Sequence, residues 1–210
     1  MGFFPSAKVN SDSTIDFTLK IGKGLSFKDR IDSMSAPIYI QQYRSPVGEL
    51  TIGVHENEIC MIDWTYRKMR KSIDSRIQSF LKTEFVEEKT DLADSCQLQF
   101  EEYFLNERKN VDLPLKLCGT EFQQEVWKEL MQIPYGKTMS YLELSKKMEN
   151  EKAIRAVASA NGANALSTVV PCHRIIGQNG DLTGYAGGLP AKKRLLQLEG
   201  VQIGNQLELF

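Results

Sequence analysis

The stretch VVPCHRIIG, Val169 to Gly177, sets a thiol, an imidazole and a guanidinium between two apolar runs. Such runs leave water when a chain folds, so the fold has to take Cys172 and His173 inside with them. Pro171 constrains it further, because it holds Val170 extended and removes one backbone donor beside the thiol. On an extended strand adjacent side chains point to opposite faces. His173 then reaches the sulfur only through a bridging water or a sharp bend.

Three readings compete for this pair: a packed core residue, two metal ligands, or a nucleophile with its base. Cys60, Cys96 and Cys118 lie in apolar patterns and read as small buried hydrophobes. A metal site wants more ligands at short spacing, and His55 and His173 are the chain's two histidines, with no Cys-x-x-Cys pair. No metal is expected. A free thiol has a pKa of ~8.5, and a nearby cation such as Arg174 raises its thiolate fraction. A base beside it needs a third group to orient it, and Glu199 is a carboxylate available downstream.

Along the chain, residues 1–36 mix Ser, Asp, Lys and Gly with weak periodicity and read as an irregular arm. IYIQQYR, ELTIGVH and EICMIDWT follow as strands separated by turn-like SPVG and ENE. Residues 69–83 and 92–106 read as helices, the second with an apolar stripe of Leu92, Cys96, Phe100, Tyr103 and Phe104. NERKNVDLPLKLCG reads as a linker, which puts the boundaries at 37–113 for an α/β domain and 114–210 for a second domain.

From Thr120 the starts become sharp. TEFQ pairs Thr120 with Gln123, and SYLE pairs Ser140 with Glu143, both as capping boxes. The first helix should bury Phe122, Val126, Leu130 and Met131. The second runs to about Met148, and a third, with Asn150 as cap, runs to Gly162. The last two read as a helix-turn-helix or as an ordinary helical hairpin. The third is poor in side chains (Ala153, Ala156, Ala158, Ser159, Ala160, Gly162), with Arg155 its lone charge near the middle. That guanidinium either reaches between base pairs or makes a surface ion pair.

A chain of 210 residues fits one large domain or two small ones. The formal charge of −1 argues against a generally basic nucleic-acid binder. Residues 114–210 nevertheless hold 11 Lys and Arg against 9 Asp and Glu, which permits a local basic patch. No apolar run approaches the ~18 residues of a membrane span. The opening MGFFPSAKVN lacks the apolar stretch of a secretory signal but fits the loose myristoylation pattern. Reduced thiols in the cytoplasm are the expectation.

PCHRIIG, with NGDLTGYAGGLPAKKRLLQLEG after it and GTEFQQEVWKELMQIPYGKTMSYLELSKKMENEKAIRAVASANGAN before it, closely resembles the O6-alkylguanine-DNA alkyltransferases. The likeness is dense over about residues 114–200 and loose over 38–113. It implies a ribonuclease-H-like α/β domain around a small antiparallel sheet, then a mainly helical, winged-helix-like domain with a helix-turn-helix. It implies that Cys172 accepts an alkyl group from guanine O6 in double-stranded DNA, once and irreversibly, without a cofactor. His173 matches the base acting through a water, Glu199 the carboxylate holding it, and Asn164 the hinge asparagine. Tyr141 matches the tyrosine that meets the guanine ring, and Arg155 the arginine that fills the stack after base flipping. Ser140, Tyr185, Ala186 and the Ile175 carbonyl fall where the family contacts its substrate.

Two positions depart from the family's pattern: Ala165 stands where proline is frequent, and Ala186 where some members add a hydroxyl. Both bear on pocket width and hinge stiffness. The expected partner is DNA, met by a monomer or by assembly along the duplex, in the nucleoid or nucleus. The rivals are a lesion-binding protein without transfer, a transcription regulator and a Cys-His hydrolase.

Overall fold

Three strands, β1 (Ile38–Ser45), β2 (Gly48–His55) and β3 (Glu58–Trp64), form an antiparallel meander in the computed structural model, which describes residues 36–203. The arm expected over 1–36, with its myristoylation pattern, falls outside the described residues except for Ala36. Between β2 and β3 the loop is Glu56–Asn57, both at positive φ (49° and 62°), the backbone twist that tight hairpins favour. Gly48 turns the other hairpin at φ 141°, where a Cβ would stand 2.5 Å from the Tyr66 hydroxyl.

Helix α1 (Arg70–Leu81) then carries the chain across to β4 (Phe85–Glu87), which lies parallel to β1 with Ile38 opposite Phe85. The sheet order is β3-β2-β1-β4. It is therefore mixed, where a purely antiparallel sheet was expected. A helical crossover returns the chain in the same direction, so the strand it delivers pairs parallel. At three residues, β4 is too short to show alternation in the sequence.

Helix α2 (Asp91–Phe104) begins with Thr90, whose hydroxyl accepts from the Ala93 amide at 3.2 Å. Cys96, Phe100 and Tyr103 on its stripe are buried against the sheet, with the ring of Phe100 edge-on to Tyr43. The segment expected as a linker then lies along the open edge of β3. The Ile59 amide donates to the Pro114 carbonyl at 2.7 Å, and the Lys116 amide to the Ile59 carbonyl at 2.9 Å.

Both expected capping boxes are present. One opens α3 (Glu121–Met131) from Thr120 and the other opens α4 (Tyr141–Lys147) from Ser140. The buried face of α3 holds Val126, Trp127 and Leu130, while Met131 is 36% exposed instead of buried. Trp127 takes its place because its indole Nε1–H donates to the Ala160 carbonyl at 2.8 Å, at the back of the helix after next. The helix expected from Asn150 instead starts as a 3₁₀ turn over Glu151–Ala153 with no side-chain cap from Asn150, and becomes α5 (Ile154–Gly162). Arg155 accordingly stands near the start of α5, not its middle. Strands β5 (Met139–Ser140) and β6 (Ile175–Ile176) pair parallel, and α6 (Gly188–Leu198) follows. One apolar core runs from Tyr43, Ile62, Trp64 and Phe100 through Val126 and Leu130 to Leu195.

Replacing Trp127 by Phe removes both the indole donor and part of the core filling. Trp127→Phe should lower unfolding stability by about 2 kcal/mol, measured by urea denaturation.

Candidate active site

Cys172, His173 and Arg174 form a single 3₁₀ turn, not the extended strand expected from the flanking runs. Pro171 opens it at φ −81°, and its carbonyl accepts from the Arg174 amide at 2.9 Å. Proline suits the first position of a helical turn, where its missing N–H leaves nothing unpaired. The chain therefore bends sharply here, yet among the described residues no hydrogen bond joins His173 to the Cys172 sulfur.

The Cys172 sulfur accepts from Asn164 Nδ2 at 3.1 Å, and the same amide donates to the Val170 carbonyl at 2.9 Å. Asn164 Oδ1 accepts from the Leu166 amide at 2.8 Å, so one side chain closes the loop from 164 to 172. Burial pushes the Cys172 thiol up, against the Asn164 hydrogen bond and the positive charge of Lys192. The resting sulfur is therefore protonated. The cations counted from the sequence are outweighed by the loss of water.

His173 is fully buried and its Nε2 lies 2.9 Å from Glu199 Oε1. Burial pushes the imidazole down, more than Glu199 raises it, so the ring is neutral at pH 7. A carboxylate only accepts, so Nε2 carries the proton and Nδ1 has the lone pair. Nδ1 has no hydrogen-bond partner among the described residues. Glu199 also accepts from Tyr103 Oη at 2.7 Å, from Arg174 Nε and Nη2 at 2.9 Å each, and from the Gly136 amide at 3.2 Å. Burial alone would raise this carboxyl. The hydrogen bonds from His173 and Arg174, with the Arg174 charge, hold it at about 2.

Cys172 is 4% exposed and lies on the wall of a cavity of about 620 Å³. Tyr141, Ala158, Gly162, Tyr185 and Ala186 line it as well. Burial raises the Tyr141 hydroxyl, which stays a proton donor and sits 3.4 Å from Asn161 Nδ2. The Tyr185 ring packs edge-on against Trp64 and His173. Arg155 is exposed, without a hydrogen bond or ion pair among the described residues, on the same stripe of α5 as Ala158 and Gly162.

Ser140 and Ile175 are brought near the site but do not line the cavity. The Ser140 hydroxyl is taken up in its helix cap, and the Ile175 carbonyl accepts from Lys192 Nζ. Ala165, at the hinge, is buried, and its carbonyl accepts from the Ile62 amide at 2.7 Å. Among the described residues no group of three or more His, Cys, Asp or Glu is placed to hold a metal.

Sequence reading missed Tyr103, Asp63, Arg67 and Lys192. Arg67 Nη1 donates to both Asp63 oxygens at 2.9 Å and to the Asn164 carbonyl at 2.8 Å, and Nη2 donates to the Gly162 carbonyl. Lys192 is fully buried and also donates to the Thr183 carbonyl at 3.0 Å; burial lowers its pKa to about 8. A lysine on the buried stripe of Ala191, Leu195 and Leu196 on α6 was the available signal.

Fold and site together define a class: an α/β unit joined to a mainly helical unit, with a buried thiol at the wall of an open cavity. Residues 38–117 match the family model described as 6-O-methylguanine DNA methyltransferase, ribonuclease-like domain. Residues 121–201 match the 6-O-methylguanine DNA methyltransferase, DNA binding domain. The chain is 40% identical over 163 residues to the methylated-DNA–protein-cysteine methyltransferase of Methanosarcina acetivorans, covering 78% of this chain and 99% of that one. It is 38% identical over 176 residues to that of Mycobacterium leprae, covering 82% and 99%. Its structure is similar to the crystal structure of Mycobacterium tuberculosis OGT in complex with DNA, with a TM-score of 0.67, 36% identity, and 77% and 93% of the two chains covered. The chain belongs to the 6-O-methylguanine DNA methyltransferase family.

Because the Glu199 carboxyl is depressed from 4.5 to about 2 in the fold, its stabilisation is full above about pH 4.5. It is lost as pH falls through about 2, and is on the order of 3 kcal/mol. Glu199→Gln should be less stable at pH 7 and should flatten this acid dependence, read from denaturation midpoints across pH.

Proposed function

We propose that this protein repairs DNA by moving an alkyl group from guanine O6 to the sulfur of Cys172, once per molecule. The observation that carries this reading is a buried thiol, hydrogen-bonded by Asn164, on the wall of a cavity beside α5 and next in sequence to His173, whose neutral ring is hydrogen-bonded to the Glu199 carboxylate.

In this reading the sulfur attacks the alkyl carbon, an S–C bond forms, and the C–O6 bond breaks with its electron pair moving into the guanine ring. The thiol proton goes to His173 Nδ1 through a water, and Glu199 holds the resulting imidazolium by charge and by its hydrogen bond to Nε2. Tyr141, kept protonated by burial, donates to the departing base. The thiol is itself the nucleophile, so the displacement calls for no cofactor. A thioether offers no leaving group to water, so the protein acts once.

The lesion reaches the cavity by leaving the base stack, at a cost of a few kcal/mol. Arg155, exposed and unpaired on the stripe that borders the cavity, fills the space left behind. Tyr185 and Ala186 close over the base, with Ser140 and Ile175 supporting the wall. Residues 37–113 serve as the scaffold and 114–210 as the DNA-facing unit. The protein works as a monomer or in assembly along the duplex, in the compartment that holds the DNA. No helix among the described residues is long and apolar enough to cross a membrane.

Intact-protein mass spectrometry with an oligonucleotide bearing one O6-methylguanine tests the transfer. The protein should gain the mass of one CH₂ at Cys172 and repair should stop at one equivalent, while Cys172→Ala should bind the duplex and gain nothing. Sustained turnover, or methyl found on Cys172→Ala, defeats the reading. Arg155→Ala should lose more than about tenfold in duplex repair, and clearly less in reaction with the free base O6-benzylguanine, which needs no flipping.

A further inference from the structure

Between β3 and the first turn of α1 the chain reads Tyr66-Arg67-Lys68-Met69-Arg70-Lys71, cations interrupted only by a methionine after an opening tyrosine. Two of these cations are neutralised inside the protein. Arg67 is buried on Asp63, and Arg70 Nε lies 2.7 Å from Asp74. Lys68 and Lys71 are exposed, and neither has a hydrogen bond or ion pair among the described residues. Tyr66 and Met69 are each 57% exposed, unusual for large apolar side chains so close together.

Tyr66, Lys68 and Met69 border the same cavity as Cys172. The Tyr66 hydroxyl donates to the Gly187 carbonyl at 3.4 Å, which fastens this segment to the loop carrying Tyr185 and Ala186. The first turn of α1 has no acidic residue, so the positive end of that helix adds to the sign of the lysines.

We propose that Tyr66–Lys71 is a second DNA-contacting surface, contributed by the ribonuclease-like part of the chain. Lys68 and Lys71 meet phosphates of the lesion strand beside the flipped nucleotide, and Tyr66 and Met69 cover its sugar. The assignment rests on the alkyl-transfer reading of the cavity. A base that sits against Cys172 leaves its sugar and phosphates at the mouth. One side of that mouth is the α5 stripe of Ala158 and Gly162, and Tyr66, Lys68 and Met69 are the contribution from β3 and α1. The strand therefore passes Lys68 at the mouth and Lys71 just beyond it, in the first turn of α1, on a protein whose overall charge is −1, so the attraction is local.

The full chain carrying Lys68→Ala and Lys71→Ala tests this by binding to a duplex with one O6-methylguanine across a salt series. The slope of log affinity against log salt should become shallower by about 2, close to one for each phosphate that no longer meets an ammonium group. The double arginine variant should keep the wild-type slope. Methyl transfer to Cys172 from duplex at sub-saturating protein should fall at least about threefold more than reaction with O6-benzylguanine base, which carries no phosphate. An unchanged slope overturns the proposal, as does an equal loss in both reactions, since the lysines would then act on the fold. A wild-type protein that binds the duplex but leaves no methyl on Cys172 defeats the alkyl-transfer reading instead, while the slopes still judge this surface.

Discussion

A carboxylate withdrawn from water persists only where donors replace its hydration, and Glu199 meets that condition with five hydrogen bonds. The network ties together distant parts of the chain: Tyr103 on α2, Gly136 after α3, and His173 and Arg174 on the reactive turn, with Glu199 itself capping α6. Gly136 sits at φ 71°, and a Cβ there would stand 2.7 Å from the Glu199 carbonyl, so the close approach depends on glycine. Arg174 extends the network to the Ile133 carbonyl at 2.6 Å. Removing Glu199 would leave Arg174 buried without its counter-charge, and removing Arg174 would do the same to the carboxylate, which is more costly than the pair is stabilising. The turn that carries Cys172 is three residues long and has little rigidity of its own. Its geometry comes from this carboxylate.

The other side of the turn is held from β3. The Ile62 amide donates to the Ala165 carbonyl and the Ser167 amide to the Ile62 carbonyl, so the hinge lies along the open edge of β3 like a short added strand. An unpaired strand edge is a liability, and here the segments around Leu115 and Leu166 cover it. Arg67 adds a buried guanidinium that joins Asp63 to the carbonyls at the end of α5 and at Asn164. The hydrogen bond from Asn164 to the sulfur is thus fixed by a residue 97 positions earlier in the chain. The α/β part positions the thiol as well as supporting the fold.

What the sequence made legible follows from how local each signal is. The capping boxes at Thr120 and Ser140 are decided within four residues, and both formed as read. The stripe of α2 and the three strands of the meander repeat over whole elements and were equally clear. β4 was lost because three residues show no period, and with it went the mixed character of the sheet. The strand expected around Cys172 failed because Pro171 is compatible with both extension and the start of a helical turn, and the Glu199 network chooses between them. Trp127 and Met131 lie one turn apart on α3, and only the distant Ala160 carbonyl settles that Trp127 is the buried one. Tyr103 read as core and Arg67 drew no reading for the same reason: they have partners that lie far away in sequence. Cys172 and His173 stood out in their motif and Glu199 as an available carboxylate, but spacing alone left three readings open; the roles assigned to them, and Asn164, came from the resemblance.

The electrostatics of the site keep the resting Cys172 thiol protonated. A thiolate standing in the cavity at rest would be open to oxidation and to any small electrophile. Burial prevents that by raising Cys172, while Asn164 and the Lys192 charge limit the rise. Lys192 is itself lowered to about 8 by burial, so its charge at neutral pH is held against a desolvation cost. That cost is offset in part by the Ile175 and Thr183 carbonyls it binds. Were the sulfur to become anionic, Lys192 would gain a counter-charge and His173, once protonated, would have Glu199 at 2.9 Å. Lys192 would therefore be better satisfied with the sulfur ionised, and an imidazolium formed at His173 would already face Glu199. In the alkyl-transfer reading, proton transfer from sulfur to imidazole would bring these interactions into play. The same burial that keeps the thiol protonated strengthens those interactions, because charges in a low-dielectric site are felt more strongly than in water.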